Sequence, residues 1–308
     1  MKKSSSVSDL MALLKEGVEA MGDDKAFRKY LQVMSRFSTY SSHNVMLIYS
    51  QCPEATFVAG YQAWKTKFHR HVKKGEKAIR ILAPRTIKKT DDQGETLVTT
   101  TFAPVRVFDI SQTEGEPLPS LSPLPTLEGD VENYLSLIDA LESVCPFRIV
   151  FQDLEEGVNG KAVYQDHSIH IQSGLSQKQT IKTLLHEIAH TMLHNPSQQI
   201  TSPFVRQVLS DAALREMEAE SVAFVVSSRF GLDVSDYSFA YVCRWKMKRD
   251  FPQESLKRIA STSSRLIAML EGYFDARSRI SSTGILCDPG SLPVSLQKSA
   301  ALQPVLSV

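Results

Sequence analysis

Apolar residues recur every three to four positions through "SVSDLMALLKEGVEAM", "KAFRKYLQVMSRF" and "SSHNVMLIYSQ", the spacing of helices that bury one face. Ser and Asn near the start of the third segment supply capping side chains. Beyond Gly60 the period changes to two. "KAIRILAP" and "LVTTTFAPVRVFDI" alternate between apolar and polar positions around the turn "DDQGE", which predicts a β-hairpin. The first part of the chain is therefore expected to be α+β.

The periodicity lapses across residues 111–130, "SQTEGEPLPSLSPLPTLEGD", where prolines, serines and acids accumulate, as in an interdomain linker. A helix is expected after it, from Val131 to Ser143, then short strands in "FRIVF" and "AVYQDHSIHI", the latter pair split by a polar turn at Gln165 to His167. Helices follow from about Ser176, from Pro203 to Arg229 and from Gln253 to Arg279. The pattern divides the chain into a first domain at 1–112, a linker at 113–130, a mainly helical second domain with a small sheet at 131–280, and a tail at 281–308 expected to be partly disordered.

Composition adds little until it is resolved along the chain. The 308 residues are 42% hydrophobic and 22% charged, as in a folded soluble protein. The N-terminus has no apolar core of a signal peptide and no run of about eighteen apolar residues occurs, so a cytoplasmic, non-membrane protein is expected. The cysteines, Cys52, Cys145, Cys243 and Cys287, form no CxxC pair, which excludes a cysteine zinc motif. Charge is uneven: between Gly60 and Thr90 ten Lys or Arg face the single acid Glu76. Lys65, Lys67, Arg70, Lys73, Lys74 and Lys77 alternate there with Tyr61, Trp64 and Phe68. Cations beside aromatic rings suit single-stranded DNA, although a helix that buries Trp64 and Phe68 and solvates its lysines would give the same pattern.

The candidate chemistry lies in "TLLHEIAHTMLHN". On a helix, His186 and His190 project from one face a turn apart and can grip one ion, while Glu187 sits where it can act as a general base, the arrangement of H-E-x-x-H. His194, at i+8 from His186, is rotated off their line and is expected to cap the helix or pack. A metzincin site is excluded because Leu193 and Pro196 stand where its Gly and third His would be. A catalytic zinc needs a third protein ligand, and "LREMEAESVAFVV" offers Glu216, Glu218 and Glu220. Glu216 and Glu220 share a face. Glu216 is the preferred ligand and Glu220 the group hydrogen-bonded behind a ligating histidine, with Glu218 the rival ligand. Tyr164, His167 and His170 are near the motif, but none is assigned an oxyanion role.

Residues 162–231, "AVYQDHSIHI…TLLHEIAHTMLH…REMEAESVAFVV", resemble the ImmA/IrrE-type zinc metallopeptidases. That resemblance implies a gluzincin-like zinc site, cleavage of a peptide or protein substrate, and "SIHI" as the edge strand that pairs with an extended peptide. Residues 37–84 resemble the single-stranded-DNA-binding domain of ArdC-type antirestriction proteins, through Tyr40, Ser41, Asn44, Gln51, Pro53, Thr56, Trp64, Val72, Lys74, Gly75, Glu76 and Lys77. It adds Tyr40 and Asn44 to the candidate DNA-binding residues. The same family joins this domain to a metallopeptidase-like one, in the order found here. The expectation is an antirestriction protein of a mobile element or its host.

Overall fold

The computed structural model describes residues 7–21, 23–90, 96–118, 131–196, 202–232 and 253–282. The hairpin turn "DDQGE", most of the expected linker, and the tail from residue 283 lie outside the described residues.

Three helices open the chain: α1 (Val7–Ala20), α2 (Asp24–Arg36) and α3 (Ser42–Gln51). Asp23 and Ser41 cap the second and third by accepting from the Ala26 and Asn44 amides, and Ser41 is among the residues expected to cap the third. A short strand β1 (Val58–Gly60) leads into α4 (Tyr61–Thr66) and β2 (Arg70–Val72), followed by the long hairpin β3 (Ile79–Thr90) and β4 (Thr96–Asp109). After a 3-10 turn, β5 (Thr113–Gly115) pairs antiparallel with β2. The main sheet of this segment runs β1-β4-β3, all antiparallel.

β3 is an edge strand of this sheet, and an edge needs its polar backbone covered. Two side chains of α3, two helical turns apart, cover it. The Asn44 amide donates to the Leu82 carbonyl at 2.9 Å and accepts from the Leu82 N–H at 2.9 Å. Gln51 does the same to Arg80, at 2.8 Å and 3.0 Å.

The later segment comprises α5 (Val131–Val144), β6 (Arg148–Gln152), β7 (Gly160–Val163), β8 (Ser168–Gln172), α6 (Gln177–Leu193), α7 (Pro203–Ser210), α8 (Ala212–Arg229) and α9 (Gln253–Ser282). The single helix expected from Pro203 to Arg229 is two. Asp211 takes an extended backbone between them, and its carboxylate caps α8 by accepting from the Leu214 amide. The sheet order is β6-β8-β7, with β6 parallel and β7 antiparallel to β8. The "SIHI" strand, β8, is thus central. It cannot be the edge strand the resemblance implied, because both its backbone edges are already paired.

The fold is α+β. The buried side chains of both segments form one continuous cluster, from Leu10 through Phe27, Leu47 and Ile81 to Leu184, Phe224 and Leu270. Helix α2 packs on α8, and α9 packs on α3, α5, α6 and α8. The metal motif is carried by α6, against α8 on one side and β7 and β8 on another.

Candidate metal centre

Helix α6 begins with Ser176 accepting from the Gln179 amide and ends at His194. Leu184, Leu185, Ile188 and Ala189 are buried around the motif, so the polar residues among them must meet partners within the protein. They do. His186 and His190 bring their Nε2 atoms to 3.0 Å from each other. The Glu216 carboxylate, from α8, reaches both: Oε2 lies 3.2 Å from His186 Nε2 and Oε1 lies 3.4 Å from His190 Nε2. One ligand atom from each of the three can be chosen so that all lie within 4.8 Å of one another. Two imidazole nitrogens and a carboxylate oxygen form a donor set that fits a divalent ion.

Each histidine is held from behind. His186 Nδ1 lies 3.1 Å from Glu220 Oε2, and the other Glu220 oxygen is 3.5 Å from Lys182 Nζ. His190 Nδ1 lies 3.0 Å from His194 Nδ1, and His194 Nε2 lies 3.0 Å from Glu218 Oε2. With both Nδ1 atoms engaged outward, the two Nε2 atoms face each other and Glu216 in a space that calls for a cation. Burial disfavours a charge on His186, yet hydrogen bonds to Glu216 and Glu220 push its pKa up to about 9. The same contacts from His186 and His190 hold the Glu216 carboxyl well below the usual carboxylate range.

Glu187 is buried, and burial raises its pKa, while His186, His190 and the Ala162 amide act in the opposite direction. Burial thus leaves Glu187 more readily protonated than an ordinary glutamate. Ala162 lies on β7, an outer strand of its sheet. At Gly160 of the same strand an added Cβ would lie 2.5 Å from Thr183 Cγ2 and 3.2 Å from Glu187 Cγ, so the strand runs directly over α6. Tyr164 donates from its hydroxyl to the His190 carbonyl at 3.2 Å, and burial, then the nearby Glu187 charge, push its pKa up to about 12. His170 is engaged with Gln152 and Ser168, and His167 packs on Phe147.

Glu216 and Glu220 therefore stand where the sequence suggested. Glu218 does not: it is fully buried on another side of α8, bound to His194, Ser255 and Arg258. Those last two residues, on α9, had no signal in the sequence.

The candidate DNA-binding residues fall into two groups. Lys65, Lys67, Lys74 and Lys77 are exposed, as is Lys73, whose Nζ also donates to the Ser111 carbonyl. Trp64 is 0% exposed, with Nε1 donating to the Phe108 carbonyl at 2.9 Å and its ring packed on Phe57 and Phe68. It cannot stack on a base. Asn44 is spent on the β3 edge, and Arg70 binds Thr113 and the carbonyls of Gly115 and Glu116. Tyr40 is half-buried, edge-on to Phe37, in a groove of about 410 Å³ shared with Ser42, His43 and Lys257. The Thr56 amide donates to Asp109, and Gln112 ties Glu76 to the Lys77 carbonyl. Most of the shared motif thus builds the domain.

Residues 7–114 match the model of the N-terminal domain of anti-restriction factor ArdC. Residues 7–114 thus form an ArdC-type N-terminal domain. The metal-free crystal structure of the antirestriction ArdC protein from R388 plasmid superposes with a TM-score of 0.53 at 22% identity, covering 77% of this chain and 86% of that one. Its Mn(II)-bound structure gives 0.50 at 18% identity, covering 76% and 84%. At these identities the likeness is one of fold. An uncharacterized Bacillus anthracis protein, pXO2-81, is 27% identical over 77% of this chain, which spans less than half, 46%, of that relative's length. No helix among the described residues is long and apolar enough to cross a membrane.

Proposed function

We propose that this chain is an antirestriction protein in which a basic, single-stranded-DNA-binding N-terminal domain is joined to a zinc-dependent, gluzincin-like peptidase centre of the ImmA/IrrE type. The observation that carries the reading is the convergence of His186, His190 and Glu216 beside the buried carboxyl of Glu187. A zinc ion held by the three residues would polarise a peptide carbonyl and lower the pKa of a water bound to it.

The chain's own groups supply the rest. Glu187 accepts the proton of the attacking water and returns it to the leaving amine. β7 offers its outer backbone edge, next to Glu187, to an extended peptide substrate in the manner of strand addition. This moves the substrate strand from the central β8 to β7. The exposed Lys65, Lys67, Lys74 and Lys77 neutralise phosphates, while the buried Trp64 supports the surface that presents them.

Metal analysis of the purified chain beside His186→Ala tests the centre. One zinc per wild-type chain and none in the variant is the expected result; equal content in both rejects it. Mobility of the chain with single- and double-stranded DNA across a salt series tests the other half. Single-strand binding that weakens as salt rises is expected, and no salt-dependent binding removes that claim.

A further inference from the structure

We infer that His194, anchored by Glu218, Ser255 and Arg258, is a positioning residue that fixes His190 in the tautomer able to bind the metal. The inference rests on the proposed metal centre and assigns a role to groups outside its ligand set.

The reasoning follows the protons. A carboxylate only accepts, so the 3.0 Å contact between His194 Nε2 and Glu218 Oε2 requires a hydrogen on Nε2. Glu218 already has its charge matched by Arg258, whose Nε lies 3.0 Å and 3.2 Å from the two carboxylate oxygens, and it accepts from Ser255 Oγ at 2.6 Å. A neutral His194 protonated on Nε2 has a bare Nδ1. The 3.0 Å contact from His194 Nδ1 to His190 Nδ1 then requires the hydrogen on His190. With a cation in place of the proton that Nε2 offers Glu216 in the metal-free chain, the lone pair of His190 is on Nε2, the atom that faces His186 and Glu216.

The anchor is built into the packing. Glu218 and His194 are buried, and Arg258 also donates from Nη2 to the Leu193 carbonyl at 2.8 Å, satisfying one of the free carbonyls at the end of α6. Helix α9 thereby holds both the last turn of the motif helix and the carboxylate that orients His194. His186 is held differently: its Nδ1 meets the more accessible Glu220. The two ligands thus have unequal support, and the longer relay backs His190.

The test uses the full chain with Zn(II) and Co(II) as probes. In His194→Phe the ring volume is kept and Glu218 retains Arg258 and Ser255, but the bridge to His190 is lost. The variant should bind Zn(II) roughly 10- to 100-fold more weakly and show an altered visible Co(II) spectrum when saturated, with an unchanged far-UV circular dichroism spectrum. His194→Gln, whose amide can accept from His190 and donate to Glu218, should recover most of the affinity and the wild-type spectrum. A folded His194→Phe with wild-type Zn(II) affinity and Co(II) spectrum overturns the relay; if it fails to fold, His194→Met is judged by the same two readouts. His186→Ala separates the two layers: if it binds Zn(II) as the wild type does, the metal centre itself is wrong and the relay falls with it.

Discussion

The Nε2 atoms of His186 and His190 lie 3.0 Å apart with the Glu216 carboxylate beside both. In the metal-free chain a proton takes the place of the cation: against the effect of burial, Glu216 and Glu220 keep His186 charged up to about 9, above its ordinary 6.5. A folded-state pKa raised above the unfolded one contributes stability that is complete below about 6.5 and is lost as pH rises through about 9. The melting temperature of the chelator-treated protein should therefore fall across that window. Saturating zinc should flatten the dependence, because metal displaces the proton. Thermal melts with chelator and with zinc check this; a metal-free melting temperature that rises across the window contradicts it.

Replacing Glu187 with Gln removes the proton acceptor but leaves His186, His190 and Glu216 in place. Peptide hydrolysis should drop by about 10²-fold or more, with zinc content unchanged. Turnover of a peptide library alongside metal analysis separates the two effects, and hydrolysis at the wild-type rate would remove Glu187 from the chemistry.

Gly160 lets β7 lie against the motif helix, where a Cβ would stand 2.5 Å from Thr183 Cγ2. In Gly160→Ala the strand must shift from α6, at a cost of about 1–3 kcal/mol. Zinc binding should persist while peptide hydrolysis falls, since the displaced strand no longer aligns substrate over Glu187. Chemical denaturation with the zinc and turnover assays measures all three, and a variant as stable and as active as wild type would refute the placement of the substrate on β7.

In the basic domain, the surface lysines and the buried motif residues should behave oppositely. The combined substitution of Lys65, Lys67, Lys74 and Lys77 by Gln should weaken single-stranded DNA binding and lower its salt slope by about 0.7 for each phosphate contact removed, with little change in stability. Trp64→Ala should cost about 3–5 kcal/mol of stability, and Asn44→Ala about 1–3 kcal/mol for each backbone group of Leu82 left unpaired. Filter binding and denaturation curves distinguish the two classes. A stable Trp64→Ala that loses DNA affinity would reverse the assignment.

Local chemistry made much of this protein legible in its sequence. The period of apolar residues marked the helices around Leu10, Leu31 and Leu47, the hairpin, and the α6 motif, because a helix or strand must bury one face wherever it packs. H-E-x-x-H placed His186 and His190 together, since their spacing is set by the helix itself. What the sequence could not distinguish depends on which face meets which neighbour. Trp64 in a basic stretch reads as a base-stacking ring until Phe57, Phe68 and the Phe108 carbonyl enclose it. The family resemblance implied that strand "SIHI" is an edge, and the pairing of β6 with its other side makes it central.

Among the three glutamates of α8, helical spacing put Glu216 and Glu220 on one face and left Glu218 as the rival ligand. The packing of α8 on α6 sets Glu216 beside His186 and His190, Glu220 beside His186 and Glu218 beside His194 and Arg258. Helical periodicity determined which residues share an element and a spacing. The choice among like charges was tertiary, because carboxylates take the role of whichever cation or imidazole the packing sets within hydrogen-bond reach.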